Sequence, residues 1–197
     1  MSERALAAAI LSGGASTRMG APKESVLFRG RPMIEHVADA LASVAPQVVI
    51  LGAAPSDGGA EDLRARVQVL GDARPRLGPL GGIATLLASG LARRYVVATC
   101  DQPMLSRADL EALLACDAPA ACLRDAASGE ELDPFPCALD ASLAGAAAQA
   151  LERGELGVRR FLRANGLVLV DGPAGCAARA RSLNTPEEVA HAEARAD

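Results

Sequence analysis

The chain has 197 residues, a length that suits one domain, and half of them are apolar. Its formal net charge is −4 with a pI near 5.3, which argues against a nucleic-acid binder, since such proteins carry a basic footprint. No uninterrupted apolar run approaches the ~20 residues of a membrane span, and no charged leader with an apolar core is apparent, so the expectation is a cytoplasmic chain with no membrane contact. Aromatic residues make up 2 %, so Ala, Leu and Val must build the core, and close helix packing through Ala is expected ahead of aromatic stacking on bases. Five cysteines with no C-x-x-C pair read as reduced thiols rather than a disulfide framework or zinc site.

The first stretch, residues 7–23, is an apolar run that stops at a paired glycine. The run through Leu11 reads as a buried strand, and Ser12, Gly13 and Gly14 open the loop that it enters. Gly13 and Gly14 let backbone N–H groups approach an oxyanion with no Cβ in the way. Arg18 adds a planar cationic fork and Lys23 a mobile point charge. The expectation is a phosphate-gripping loop. Its spacing is neither that of a Walker A loop nor that of a dinucleotide fingerprint.

A helix is expected over 33–44, with Pro32 at its start and Ile34, Val37, Ala38, Leu41 and Val44 on one face. A β-branched strand over 47–51 follows, which makes a parallel pair with the first. A short helix over 61–66 and a strand over 67–70 lead to a second glycine-rich loop over 71–82. Pro79 with Gly78, Gly81 and Gly82 leaves a helix start with free N–H groups. That start suits an anion or base edge, and equally a tightly packed helix end. The helix runs to about 91.

A strand over 95–100 ends in Asp101-Gln102-Pro103. A carboxylate at the C-terminal end of a parallel strand lies where open α/β sheets bind ligands, and beside phosphates it typically holds Mg²⁺. Ser106 is better placed than Asp101 to cap the next helix, over 107–115. Further elements are a strand over 118–123, a strand over 135–139 that Pro136 marks as an edge or bulge, and an alanine-rich helix over 141–153. A helix over 158–164 carries Arg160 and Arg163 on one face, read as a solvated face ahead of an anion patch. A strand over 167–170 comes next. Thr185, Pro186 and Glu188 read as N-cap, N1 and N3 of a final helix with a capping box. Alternating strands and helices give a three-layer α/β sheet.

Three separated motifs carry a resemblance. Leu11-Ser12-Gly13-Gly14 through Arg18-Met19-Gly20 and Lys23, Gly78-Pro79-Leu80-Gly81-Gly82, and Cys100-Asp101-Gln102-Pro103 resemble the nucleotidyltransferase family that includes molybdenum cofactor guanylyltransferase. Asn184-Thr185-Pro186-Glu187 is similar to that family's N-T-P-E segment. The resemblance implies a Rossmann-like nucleotidyltransferase domain over 1–197, a mostly parallel sheet with helices on both faces. It implies a GTP site formed by Leu11 to Gly13, Lys23, Asp72 and Asp101, with Asp101 also holding Mg²⁺. It implies transfer of GMP from GTP to the molybdopterin cofactor with release of pyrophosphate. Ser182 and Asn184 fall at its substrate-side segment, and cofactor-insertion proteins and molybdoenzymes are its implied partners. The chain departs from the family pattern at Pro22, at Gly52-Ala53-Ala54 and at Ser182, where Asn is common.

The residues agree with that chemistry. An attacking phosphate is already ionised, so no general base is demanded, and the two histidines are no obstacle. Catalysis then rests on positioning and charge neutralisation, by Arg18, Lys23 and a metal on Asp101. Asp72 can accept hydrogen bonds from the guanine edge. The rival readings are a CTP-using or sugar-phosphate-using enzyme of the same fold, and a non-catalytic nucleotide-binding regulator.

Overall fold

A computed structural model describes residues 5–13, 26–52, 63, 66–71 and 77–195. A seven-stranded sheet runs through the middle, in spatial order β5-β4-β1-β6-β8-β7-β9. Its strands are β1 (Leu6–Ser12), β4 (Val48–Gly52), β5 (Gln68–Leu70), β6 (Arg94–Thr99), β7 (Ala120–Arg124), β8 (Cys137–Asp140) and β9 (Leu167–Asp171). Two-residue strands β2 (Leu27–Phe28) and β3 (Arg31–Pro32) form a separate hairpin. β1 lies between β4 and β6 and is parallel to both, as the crossover pattern requires.

β8 is antiparallel to β6 on one side and β7 on the other. Of the two expectations at Pro136, an edge or a bulge, the edge is corrected here. Pairing begins at Cys137, one residue past the proline, so the missing N–H falls outside the ladder and the strand sits inside the sheet.

Alternation along the strands sends side chains to two cores. One contains Ala7, Ala9, Val49, Leu51, Tyr95, Val97 and Leu139, covered by α2 (Gly78–Ala88), α4 (Ala144–Glu152) and α5 (Val158–Ala164). The other contains Ala8, Ile10, Ile50, Val96 and Ala98, covered by α1 (Met33–Ala42) and α3 (Arg107–Leu114). Alanines at 7, 8 and 9, each at most 1 % exposed, let helices lie close on both faces of the central strand. A third, small cluster joins Phe28 and Met33 to Leu183, Val189 and Ala192 on the C-terminal helix. A short helix α6 (Cys176–Arg179) precedes that helix, α7 (Pro186–Arg195).

The caps follow the sequence closely. Ser106 caps α3 through a reciprocal box with Asp109. Thr185 accepts from the Glu188 amide at 3.2 Å, but the Glu188 carboxylate reaches the amide of Asn184, one residue earlier than a standard box. The alanine-rich helix starts as a 3₁₀ turn over Ala141–Leu143, because the Asp140 side chain accepts from Ser142 N–H at 2.8 Å and tightens that turn. No helix among the described residues is long and apolar enough to cross a membrane. No disulfide joins the five cysteines. Burial pushes the Cys122 thiol up to about 12, so it stays protonated.

Candidate functional site

Parallel strands end together. β1 closes at Ser12, β4 at Gly52 and β6 at Thr99, on one edge of the sheet. α2 starts at Gly78 and follows β5, so its N-terminus opens on that edge too. Leu11, Ser12, Gly13, Gly78 and Asp101 are therefore gathered there. Gly14, Arg18, Lys23 and Asp72 lie outside the described residues, as do Pro22, Ala53 and Ala54.

The edge is tightly built. Gly52 pairs with Ser12 and has φ +102°, a left-handed conformation. A Cβ at Gly52 would stand 2.0 Å from the Ser12 carbonyl oxygen, so only glycine fits. Ser12 is 5 % exposed, and among the described residues its buried hydroxyl has no hydrogen-bond partner, at the tip of the central strand.

α2 begins Gly78-Pro79-Leu80, and among the described residues no side chain caps it; uncapped first-turn amides are what a helix start can offer an anion. Gly78 is exposed at φ +62°, whereas Gly82 is buried within the helix. Gly78 is thus the glycine at the exposed end of the helix, and Gly82 lies buried one turn in.

Asp101 is 6 % exposed, two residues past the end of β6. Thr99 donates its hydroxyl hydrogen to Asp101 Oδ1 at 2.6 Å, which sets the carboxylate's orientation. The Asp101 carbonyl accepts from Leu183 N–H at 2.8 Å. Gln102 is fully buried. Its Oε1 accepts from Thr99 N–H at 3.1 Å, and its Nε2 donates to the carbonyls of Phe135, at 2.7 Å, and Ala180. One side chain thus ties the end of β6 to the start of β8 and to the C-terminal segment. Thr99 and Gln102 were not singled out by sequence reasoning. The signal available was a Thr two residues before Asp101 and a Gln inside the Asp-Gln-Pro step.

A carboxylate held this way offers hard oxygen ligands at a sheet edge. Among the described residues no group of three or more His, Cys, Asp or Glu is assembled. That donor set fits Mg²⁺, which takes one or two carboxylates and completes its shell with phosphate oxygens and water. It does not fit a closed zinc site.

Ser182 and Asn184 are half-buried on the segment that crosses Asp101. Asn184 Nδ2 donates to the Ser182 carbonyl at 3.2 Å. The Arg160 and Arg163 pair is not an anion patch: Arg163 meets Glu131 at 2.6 Å and Arg160 meets Glu155 at 3.7 Å. Each guanidinium turns to its own carboxylate, because Glu131 and Glu155 lie on different sides of the shared helix face.

The family model described as MobA-like NTP transferase domain matches residues 8–168. The chain belongs to this family. Against the molybdenum cofactor guanylyltransferase of Xanthomonas euvesicatoria it is 38 % identical over 108 residues, 54 % of this chain and 52 % of that relative. The chain thus spans about half the length of that relative. Against the molybdenum cofactor guanylyltransferase of Shewanella amazonensis it is 34 % identical over 190 residues, 92 % of each chain. Molybdopterin-guanine dinucleotide biosynthesis protein A from Archaeoglobus fulgidus shares the fold, with a TM-score of 0.72 at 22 % identity over 96 % of this chain and 98 % of that one. The mostly parallel sheet with helices on both faces is thus the MobA-like nucleotidyltransferase fold, as expected.

Proposed function

We propose that this MobA-like chain is a nucleotidyltransferase that moves GMP from GTP to the molybdenum-molybdopterin cofactor in the cytoplasm. The observation that carries the reading is the buried Asp101 carboxylate, oriented by Thr99 at the sheet edge where β1 and α2 also open. An acceptor phosphate oxygen forms a bond to the α-phosphorus of GTP, the α–β bridging bond breaks, and pyrophosphate leaves with its charge. The chain's part is to position and to neutralise. Backbone amides at Leu11 to Gly14 and at the start of α2 cradle phosphates. Arg18 and Lys23 offset charge on the triphosphate and the departing pyrophosphate. Asp72 accepts from the guanine N1–H and amine. Asp101 would hold Mg²⁺, which supplies charge neutralisation on the phosphates when bound. Ser182 and Asn184, tied to Asp101 through Leu183, face the acceptor side.

The test is nucleotide-dependent stabilisation followed by turnover. GTP with Mg²⁺ raises the melting temperature more than CTP, ATP or UTP, and pyrophosphate appears when molybdopterin is added. Equal or greater stabilisation by CTP overturns the guanylyl reading in favour of a cytidylyl one. Nucleotide binding without pyrophosphate release points to a regulator. Asp101→Asn abolishes turnover while the protein stays folded; full activity in that variant removes the metal role.

A further inference from the structure

A cavity lies beside the loop that carries Asp101, with Pro103 and Met104 in its wall. It has a volume of about 920 Å³ and is walled by the β2–β3 turn, α1, the residues after Gln102, α6 and α7. That size falls in the range of small-molecule pockets. Along the segment that crosses Asp101, Arg181 and Leu183 line this cavity, whereas Ser182 and Asn184 do not. Its lining thus takes alternate residues of that segment and leaves out the two substrate-side positions.

Its floor is apolar. Phe28, Met104 and Leu183 come from the third core cluster or pack against it, and Ala178 and Ala192 leave room above them. Its rim is cationic. The lining has four arginines and both of the chain's histidines against two glutamates, in a chain whose net charge is −4. Two of those arginines are committed: Arg179 to the buried Asp109 and Arg181 to Glu188. Arg195 is not. Its Nη1 lies 3.5 Å from His191 Nε2, and among the described residues it makes no ion pair with a carboxylate. Arg29 stands over the Phe28 ring, 5.9 Å from its centroid. His36 donates Nε2–H to the Phe28 carbonyl at 2.8 Å and meets the Phe28 ring edge-on at 5.4 Å, so ring and imidazole are held together.

A cationic rim above an apolar floor suits one kind of ligand. Guanidinium forks recognise phosphate or carboxylate in two-pronged fashion. Phe28, with the soft thioether of Met104, suits a flat apolar body. We propose that this cleft binds a small organic anion, with a phosphate or carboxylate head at Arg195 and His191 and an apolar body on Phe28, Met104 and Leu183. The proposal does not depend on the nucleotide chemistry at Asp101.

The two histidines make the test direct, because the chain contributes two imidazole Cε1–H signals in proton NMR. His36→Gln and His191→Gln assign them. Phenyl phosphate is the probe, with phenylacetate as the carboxylate arm and phenol as the uncharged control. Both signals shift with one saturable curve on adding phenyl phosphate or phenylacetate, and the tighter arm tells which head is preferred. Phenol binds at least tenfold more weakly. Arg195→Ala, an exposed change at the end of α7, weakens binding at least tenfold, and Arg195→Lys recovers part of it. Asp101→Asn and Lys23→Gln leave the curve unchanged. No shift in either signal overturns the proposal. So does phenol binding as tightly as phenyl phosphate, or loss of the shift in Lys23→Gln, which would put the anion at the nucleotide edge. Failure of GTP to stabilise the chain would sink the proposed function and leave this result untouched.

Discussion

The amide of Leu183 donates to the carbonyl of Asp101 at 2.8 Å. This bond joins residues 82 positions apart and hangs the C-terminal segment on the loop that carries the candidate metal carboxylate. Asp101 therefore faces two ways. Its side chain is set by Thr99, and its main chain anchors the stretch that holds Ser182 and Asn184.

The Thr99 hydroxyl is a positioning group. Thr99→Val removes the 2.6 Å hydrogen bond to Asp101 Oδ1 and leaves the strand's shape intact. Loss of such an outer partner typically reduces metal affinity or activity by about 10–100-fold. We expect that loss in pyrophosphate release, partly recovered at high Mg²⁺, with Thr99→Ser close to the parent. An unchanged Mg²⁺ dependence in Thr99→Val would refute the positioning role.

Gln102 is a structural clamp. Gln102→Leu leaves the Thr99 amide and the carbonyls of Phe135 and Ala180 buried without their partner. Each unsatisfied buried group costs about 1–3 kcal/mol. Destabilisation of about 3 kcal/mol or more is expected in urea unfolding. A loss below ~1 kcal/mol would show that water replaces the amide.

Asp109 ties α3 to the C-terminal segment and should make stability pH-dependent. Burial pushes its carboxyl up, but hydrogen bonds from Arg179 and Ser106 and the Arg179 charge outweigh this and hold it below the ordinary value. Arg179 grips it with two prongs, at 2.8 and 2.7 Å. The folded chain thus releases this proton more readily than the unfolded chain. The stabilisation is full above the ordinary Asp value of about 4, and drains as pH falls through the lowered value. Melting temperatures between pH 2.5 and 7 should fall more steeply at the acid end for the parent than for Asp109→Asn. At pH 7 the variant should lose about 2–3 kcal/mol. That is less than the ~3–5 kcal/mol for a fully buried pair, because the Arg179 side chain is 28 % exposed and can rehydrate.

Gly52 tolerates no side chain. Gly52→Ala combines φ +102° with a contact to the Ser12 carbonyl at 2.0 Å. The two strands must part at the site edge, at a cost of about 2–4 kcal/mol. Thermal unfolding should register it, together with weaker GTP stabilisation. Gly145, exposed with nothing within 4 Å of an added Cβ, is the control, and Gly145→Ala should not lower stability.

Much of this protein is legible in its sequence, for local reasons. The order of strands and helices, the Ser106 cap and the clustering of the motifs at strand ends follow from periodicity, capping chemistry and the parallel crossover rule. Each depends on residues within a few positions of one another. What tertiary structure alone decided is long-range. Pro136 looked like an edge signal, yet β8 lies between β6 and β7, because which strand inserts depends on partners across the sheet. Arg160 and Arg163 shared a helix face, but Glu155 and Glu131 separate them. Gln102 was a letter beside Asp101 until folding placed Phe135 and Ala180 around it. Only folding brought both histidines to one cleft, since residues 36 and 191 have no local pattern to connect them.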